Sequence, residues 1–197
     1  DIEGIADLAM QVVHAFYKNP NRQKGTGVQV SVSCASFIPK PFTPFQWEAE
    51  DSMESLKAKQ AHLLESIPSK KVKVSYHETP TSLLEGVLAR GDRRLCNVLY
   101  DAFKLGCKFD SWDDRFHFDT WMKAFEMNGI DPYFYTSRKR EYSEVLPWDH
   151  LDFGVTKKFL ELESKKAHAN KTTPHCRIKC AGCGANILNG GQCDARG

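Results

Sequence analysis

The sequence predicts an α/β fold that gives way to a mainly helical C-terminal part, and three observations carry that expectation. Two short segments, 28–34 and 71–77, alternate apolar and polar residues with the period of a strand. About 36 residues that include a long helical pattern separate them, as a parallel crossover requires. Beyond Cys107 the strand signal stops, aromatic residues crowd in, and four cysteines lie near the end of the chain.

Taken in order, Ile2, Ile5, Leu8, Val12, Val13 and Phe16 recur at spacings of three and four, the apolar stripe of an amphipathic helix. Asn19-Pro20-Asn21 and the glycines at 25 and 27 end it. Val28 to Cys34 then reads as a strand. In a barrel of βα units its valines would meet the outer helices, and Gln29, Ser31 and Ser33 would face a polar lumen where a reaction can be housed. A solvated face of an antiparallel sheet satisfies the same alternation. Pro39, Pro41 and Pro44 within six residues forbid regular helix or a central strand, so Ser36–Trp47 is a stiff extended loop.

A helix is expected from about Glu50 to Ile67, with Met53, Leu56, Leu63, Leu64 and Ile67 inward, and the second strand follows. Thr81 and Ser82 are placed to cap a helix that runs to Arg90 and stops at Gly91; Asp92 restarts one that ends at Gly106. A short helix ends at Gly129, Tyr133-Phe134-Tyr135 is a brief apolar run, and a last helix, about Thr156–His168, turns Phe159, Leu160 and Leu162 inward. The expected divisions are 1–108 for the α/β part, 109–169 for a helical, aromatic-rich extension and 170–197 for a cysteine-rich tail.

Of 197 residues, 41% are hydrophobic and 26% charged, a globular composition, and no apolar run approaches the ~20 residues a membrane crossing needs. The formal charge of +2 compels no attraction to nucleic acid. The chain opens on Asp1 with no signal-peptide pattern, so a processed or truncated cytoplasmic chain is expected. Cys34, Cys96 and Cys107 are scattered in apolar surroundings and read as buried free thiols, whereas Cys176, Cys180, Cys183 and Cys193 fall within eighteen residues. Such a cluster resembles a metal site more than a disulfide framework.

Cys176-x3-Cys180-x2-Cys183 places three thiolates within reach of one metal, with Cys193 the first choice of fourth ligand and His175 the second. Structural zinc, an auxiliary iron–sulfur cluster and thiols with no ligand all remain open, since thiolates alone do not separate the metals. Lys157, Lys158, Lys165, Lys166, Lys171, Arg177 and Lys179 gather at this end, either a footprint for RNA or a solvated helix face. Arg90-Gly91-Asp92-Arg93-Arg94 offers arginines for an anion, or a helix stop and restart. His77, Glu78 and His150 are candidate proton-transfer groups or hydrogen-bonded structural residues. Trp112, Phe116, Phe118, Trp121 and Phe125 read as core ahead of a base-stacking platform.

The loop Phe37-Ile38-Pro39-Lys40-Pro41-Phe42-Thr43-Pro44-Phe45-Gln46-Trp47 resembles the segment after a late barrel strand in radical S-adenosylmethionine enzymes, in particular the B12-binding-domain type of poorly defined function. A looser likeness is to the methylthiotransferases. The resemblance continues in order through Leu84–Leu95, Gly106–Trp112, Leu146–His150 and Thr173–Arg177. The chain departs from that family at Phe42, where His is usual, at His175, where an acid is usual, and at Ala185-Asn186, where a further Cys is common.

What the resemblance implies is the last part of a βα barrel followed by a C-terminal extension. A complete enzyme of this kind uses a [4Fe–4S] cluster to reduce S-adenosylmethionine to a radical that abstracts hydrogen from substrate. The Cys-x3-Cys-x2-Cys loop that binds the cluster follows the first barrel strand; no such loop precedes a strand in this sequence. The chain is therefore expected to work with the missing N-terminal half of the same polypeptide. Gln29, Ser31 and Ser33 are expected at the cofactor or substrate wall, a cobalamin is a further candidate cofactor, and RNA or protein is the candidate substrate. The alternative is a metal-knuckle module that binds nucleic acid or protein without catalysis of its own.

Overall fold

The computed structural model describes residues 1–191, an α/β chain with seven α-helices and one two-stranded sheet among those residues. Its elements are α1 (Ile2–Lys18), β1 (Val30–Cys34), α2 (Met53–Glu65), β2 (Val72–Tyr76), α3 (Thr79–Arg90), α4 (Leu95–Lys104), α5 (Phe118–Met127), α6 (Tyr133–Thr136) and α7 (Lys157–His168). A 3-10 segment, Ala185–Asn189, follows. No described helix is long and apolar enough to cross a membrane. The chain divides into two compact units: Asp1–Phe37 with Asp51–Glu85, and Ile38–Glu50 with the chain from Gly86 onward.

In the first unit β1 and β2 pair in parallel, Val30 opposite Val72 through Cys34 opposite Tyr76. The crossover expectation holds, because 35 to 71 contains α2 and leaves the second strand running the same way. The valines of both strands pack with Ala9, Val13, Met10 and Ile67. Ser31, Ser33, Lys73 and Ser75 point to the opposite, exposed face. Two strands make a sheet and not a closed barrel.

Several inward faces differ from the sequence expectation. The buried residues of α1 are Ala6, Ala9 and Val13, while Leu8 and Val12 are 62% and 47% exposed. Small residues let the helix lie close to the strands, and the bulkier stripe is rotated outward. In α2, Leu56 and Leu63 are buried but Leu64 is exposed. Ser52 caps that helix by accepting from the Ser55 N–H. Helix α3 starts at Thr79, two residues before the expected cap, because Pro80 is tolerated in a first helical turn.

In the second unit Trp47, Leu146, Trp148 and Leu160 form a buried cluster bordered by Phe42, Tyr142, Val155 and Phe159. Leu160 carries the inner face of α7, and Leu162 is exposed. Trp121 and Phe125 are core residues of α5, as expected, but Trp112 is 66% exposed. The apolar run Tyr133-Phe134-Tyr135 forms a single helical turn, started by Asp131, whose Oδ1 accepts from the Tyr133 N–H.

Candidate functional site

Three features of the structure bear on function: the open sheet face, the proline loop with its buried arginines, and the cysteine-bearing tail. Each belongs to a single compact unit.

The sheet face presents three hydroxyls and one amine, from Ser31, Ser33, Ser75 and Lys73. Gln29 is exposed just before β1, where its Nε2 donates to the Lys71 carbonyl. Ser75 Oγ donates to the Val32 carbonyl at 3.5 Å. Alternation along the chain leaves the three predicted residues Gln29, Ser31 and Ser33 exposed, and the parallel register sets Lys73 and Ser75 of β2 beside Ser31 and Ser33. His77 and Glu78 follow β2 and are exposed, with the His77 carbonyl accepting from Gln60 Nε2.

The proline loop turns inward. Gln46 and Trp47 are 2% and 0% exposed. Gln46 Oε1 accepts from the indole N–H of Trp148 at 2.6 Å and from the Phe42 backbone N–H at 3.1 Å. This clamp holds Phe42 at φ 58°, a left-handed conformation that a bulky residue adopts only under constraint. The Gln46 carbonyl in turn accepts from Arg90 Nη2.

Arg90 is completely buried, and Arg140 is 3% exposed. Arg140 donates through its backbone N–H to the Trp47 carbonyl at 2.7 Å, and through Nη2 to the carbonyls of Arg90 and Tyr135. Desolvation and the nearby Arg140 charge push the Arg90 guanidinium down to about 10, against the pull of Glu50 and Glu144; it stays cationic at neutral pH. Arg94 forms a fork with the Asp92 carboxylate, which also accepts from the Tyr135 hydroxyl. Those bonds hold the Asp92 carboxyl down at about 2. In the Arg90–Arg94 run, then, Arg90 and Arg94 tie the fold together and Arg93 is exposed, beside Pro147 and His150. Sequence reasoning singled out Arg90 but not Gln46, Glu50 or Arg140, whose partners lie far along the chain.

In the tail, Cys176 and Cys180 are exposed, Cys183 is half-buried, and all three are free thiols. Gly182 and Gly184 flank Cys183 with φ of 71° and 95°, left-handed conformations that glycine adopts without strain. The segment is anchored: the N–H of Thr156, the N-cap residue of α7, donates to the Cys183 carbonyl at 2.9 Å. A Cβ on Gly184 would lie 2.8 Å from Thr156 Cγ2 and 2.9 Å from the Gly154 carbonyl. His175 Nδ1 accepts from the Arg177 N–H, which leaves Nε2 for any metal.

Cys193 lies outside the described residues. Among the described residues no three His, Cys, Asp or Glu side chains gather closely enough to hold a metal ion. The donor chemistry of the tail fits a thiophilic metal, while its three described sulfurs are not drawn together. Of the seven cations at this end, three pair with carboxylates: Lys157 with Asp149, Lys165 with Glu161 and Lys166 with Glu163.

No protein-family model, no curated protein and no solved structure matches this chain.

Proposed function

We propose that the chain is the C-terminal part of a radical S-adenosylmethionine enzyme, in which β1 and β2 supply a section of barrel wall. The observation that carries the proposal is the two-stranded parallel sheet, covered by α1 on its valine face and bare on its polar face. Parallel sheets occur with both faces covered and in larger arrays, so this pair is suited to completion by strands from the rest of the polypeptide. In that setting Gln29, Ser31 and Ser33, with Lys73 and Ser75, line the lumen and offer hydrogen bonds to a polar cofactor or substrate. Bound in the other half of the barrel, a [4Fe–4S] cluster with S-adenosylmethionine would supply one-electron radical chemistry. Cobalamin is a further candidate there, and RNA or protein the candidate substrate.

At the tail, Cys176, Cys180 and Cys183, with Cys193 completing the set, are proposed to hold zinc or an auxiliary iron–sulfur cluster. The left-handed glycines and the anchor at Thr156 support a knuckle at this place. The alternative is a metal-knuckle module that binds nucleic acid or protein without catalysis of its own; the local pairing of Lys157, Lys165 and Lys166 lowers the positive charge such a module would offer a nucleic acid. The compartment proposed is the cytoplasm, where unpaired thiols persist.

The decisive test is anaerobic purification of the whole polypeptide, with iron, sulfide and zinc quantified. The expected result is iron and sulfide for at least one [4Fe–4S] cluster, with reductive cleavage of S-adenosylmethionine. A polypeptide without iron and without that cleavage refutes the enzyme reading.

A further inference from the structure

A cleft of about 180 Å³ opens in the first unit at the carboxyl ends of the two parallel strands. Cys34 and Tyr76, the last residues of β1 and β2, form its floor. They share the helix-facing side of the sheet with Val32 and Val74, so the cleft lies opposite the serine face and is independent of any role of that face. Ile2 and Ile5 of α1 and Leu56 and Leu63 of α2 make the walls apolar. In open α/β sheets, the crevice outside the carboxyl ends of the strands is where ligands bind.

One ion pair stands at the mouth. Lys59 Nζ donates to Asp51 Oδ2 at 2.5 Å, and both side chains are partly exposed. An ammonium has three N–H donors and, among the described residues, this contact uses one; Asp51 Oδ1 accepts from them only a long 3.3 Å bond, from Ser55 Oγ. The pair therefore has a free donor side and a free acceptor side. A carboxylate ligand alone would satisfy Lys59 and confront Asp51 with a like charge, and an amine alone would do the reverse to Lys59. A zwitterion meets both groups and leaves the total charge at zero. The interior sets the rest of the ligand, because a dry apolar cavity of ~150 Å³ accommodates a benzene ring.

We propose that this cleft binds a free α-amino acid with a branched aliphatic or single-ring side chain, its ammonium on Asp51, its carboxylate on Lys59 and its side chain between α1, α2 and the strand ends. Cys34 in the floor provides a local reporter, since an occupied cleft shields its thiol.

The test is alkylation of the whole polypeptide by a small maleimide, followed residue by residue with mass spectrometry. L-leucine and L-phenylalanine are the probes, with exposed Cys96 as the internal reference. Either amino acid at saturation slows modification of Cys34 severalfold and leaves Cys96 unchanged. Asp51→Asn and Lys59→Met each weaken the half-saturating concentration about tenfold, the scale of one charge-assisted hydrogen bond. Ala35→Trp, which fills the cleft from an exposed position on its lining, abolishes protection. A circular-dichroism melt of each variant verifies that it is folded. The proposal is overturned if Cys34 is unprotected in the parent protein. It is equally overturned if 4-methylpentanoate or isopentylamine protects as well as leucine, or if the charge variants retain full affinity.

Discussion

Replacing Gln46 with leucine isolates the polar clamp at the centre of the second unit. The substitution keeps side-chain volume close to native and removes the one oxygen that accepts from both Trp148 Nε1 and the Phe42 N–H. The indole donor is buried, and leaving it without a partner costs about 1–3 kcal/mol; the Phe42 N–H is partly buried and adds about 1 kcal/mol. Gln46→Leu is therefore expected to destabilise by about 2–4 kcal/mol. Trp148→Phe removes the donor together with part of the ring, at about 1.5–2.5 kcal/mol. In the double variant the indole N–H no longer exists, so the Gln46 substitution costs only about 1 kcal/mol. The coupling energy is then about 1–3 kcal/mol. Urea denaturation followed by intrinsic fluorescence suits the measurement, because all four tryptophans, at 47, 112, 121 and 148, lie in this unit. Additivity of the two substitutions within about 0.5 kcal/mol would refute the clamp.

Two helical glycines should respond to alanine with opposite signs. Gly4 has nothing within 4 Å of an added Cβ, so Gly4→Ala should stabilise by about 0.5–1 kcal/mol. At Gly86 the Cβ would fall 2.1 Å from Glu50 Oε2 and 2.9 Å from Thr136 Cγ2, so Gly86→Ala should destabilise by about 2 kcal/mol or more. A thermal melt in which Gly86→Ala is as stable as the parent would contradict the packing around Glu50, and one in which Gly4→Ala is destabilised would contradict the open space at Gly4. Asp92 ionises near 2 in the fold and near 3.9 in the unfolded chain, so its contribution is complete above about pH 4 and is lost as pH falls toward 2. Because Arg94 is largely exposed, the contribution is about 1 kcal/mol after solvent screening. Asp92→Asn should show that deficit at pH 7 and none near pH 2; a deficit independent of pH would count against the Arg94 fork as its source. For the tail, Cys180→Ser should abolish one equivalent of tightly bound metal, and affinity in the parent protein should fall as acid protonates the thiolates. Full metal stoichiometry in the variant would remove this site.

The strands were readable because period-two alternation of valine with serine or lysine survives any context: Val30, Val32, Val72 and Val74 face the helices as written. The face of α1 was not, since hydropathy gives weight to Leu8 and Val12, whereas close helix–sheet contact selects Ala6 and Ala9. The single turn Tyr133–Thr136 is too short to show a helical period. The polar interior was the least accessible. Gln46 reads as an ordinary loop residue until Trp148 and Arg90, 102 and 44 positions away, are brought to it. Arg140 and Glu50 are hidden for the same reason: the burial of a polar side chain depends on partners that sequence spacing does not reveal.

The short segment Ile38–Glu50 belongs to the second unit, yet it is threaded between two stretches of the first. This order constrains birth on the ribosome. The first unit's strands and α2 emerge together and have partners at once. The strip carrying Gln46 and Trp47 must wait for Trp148, and at ~5–20 residues synthesised per second that interval is about 5–20 s. Throughout that time a proline-stiffened stretch bearing Phe42 and Trp47 has no core to enter. Nascent chains stalled before residue 146 should therefore expose a sticky apolar strip of the kind that trigger-type chaperones hold, and release it only once Leu146 and Trp148 have left the tunnel.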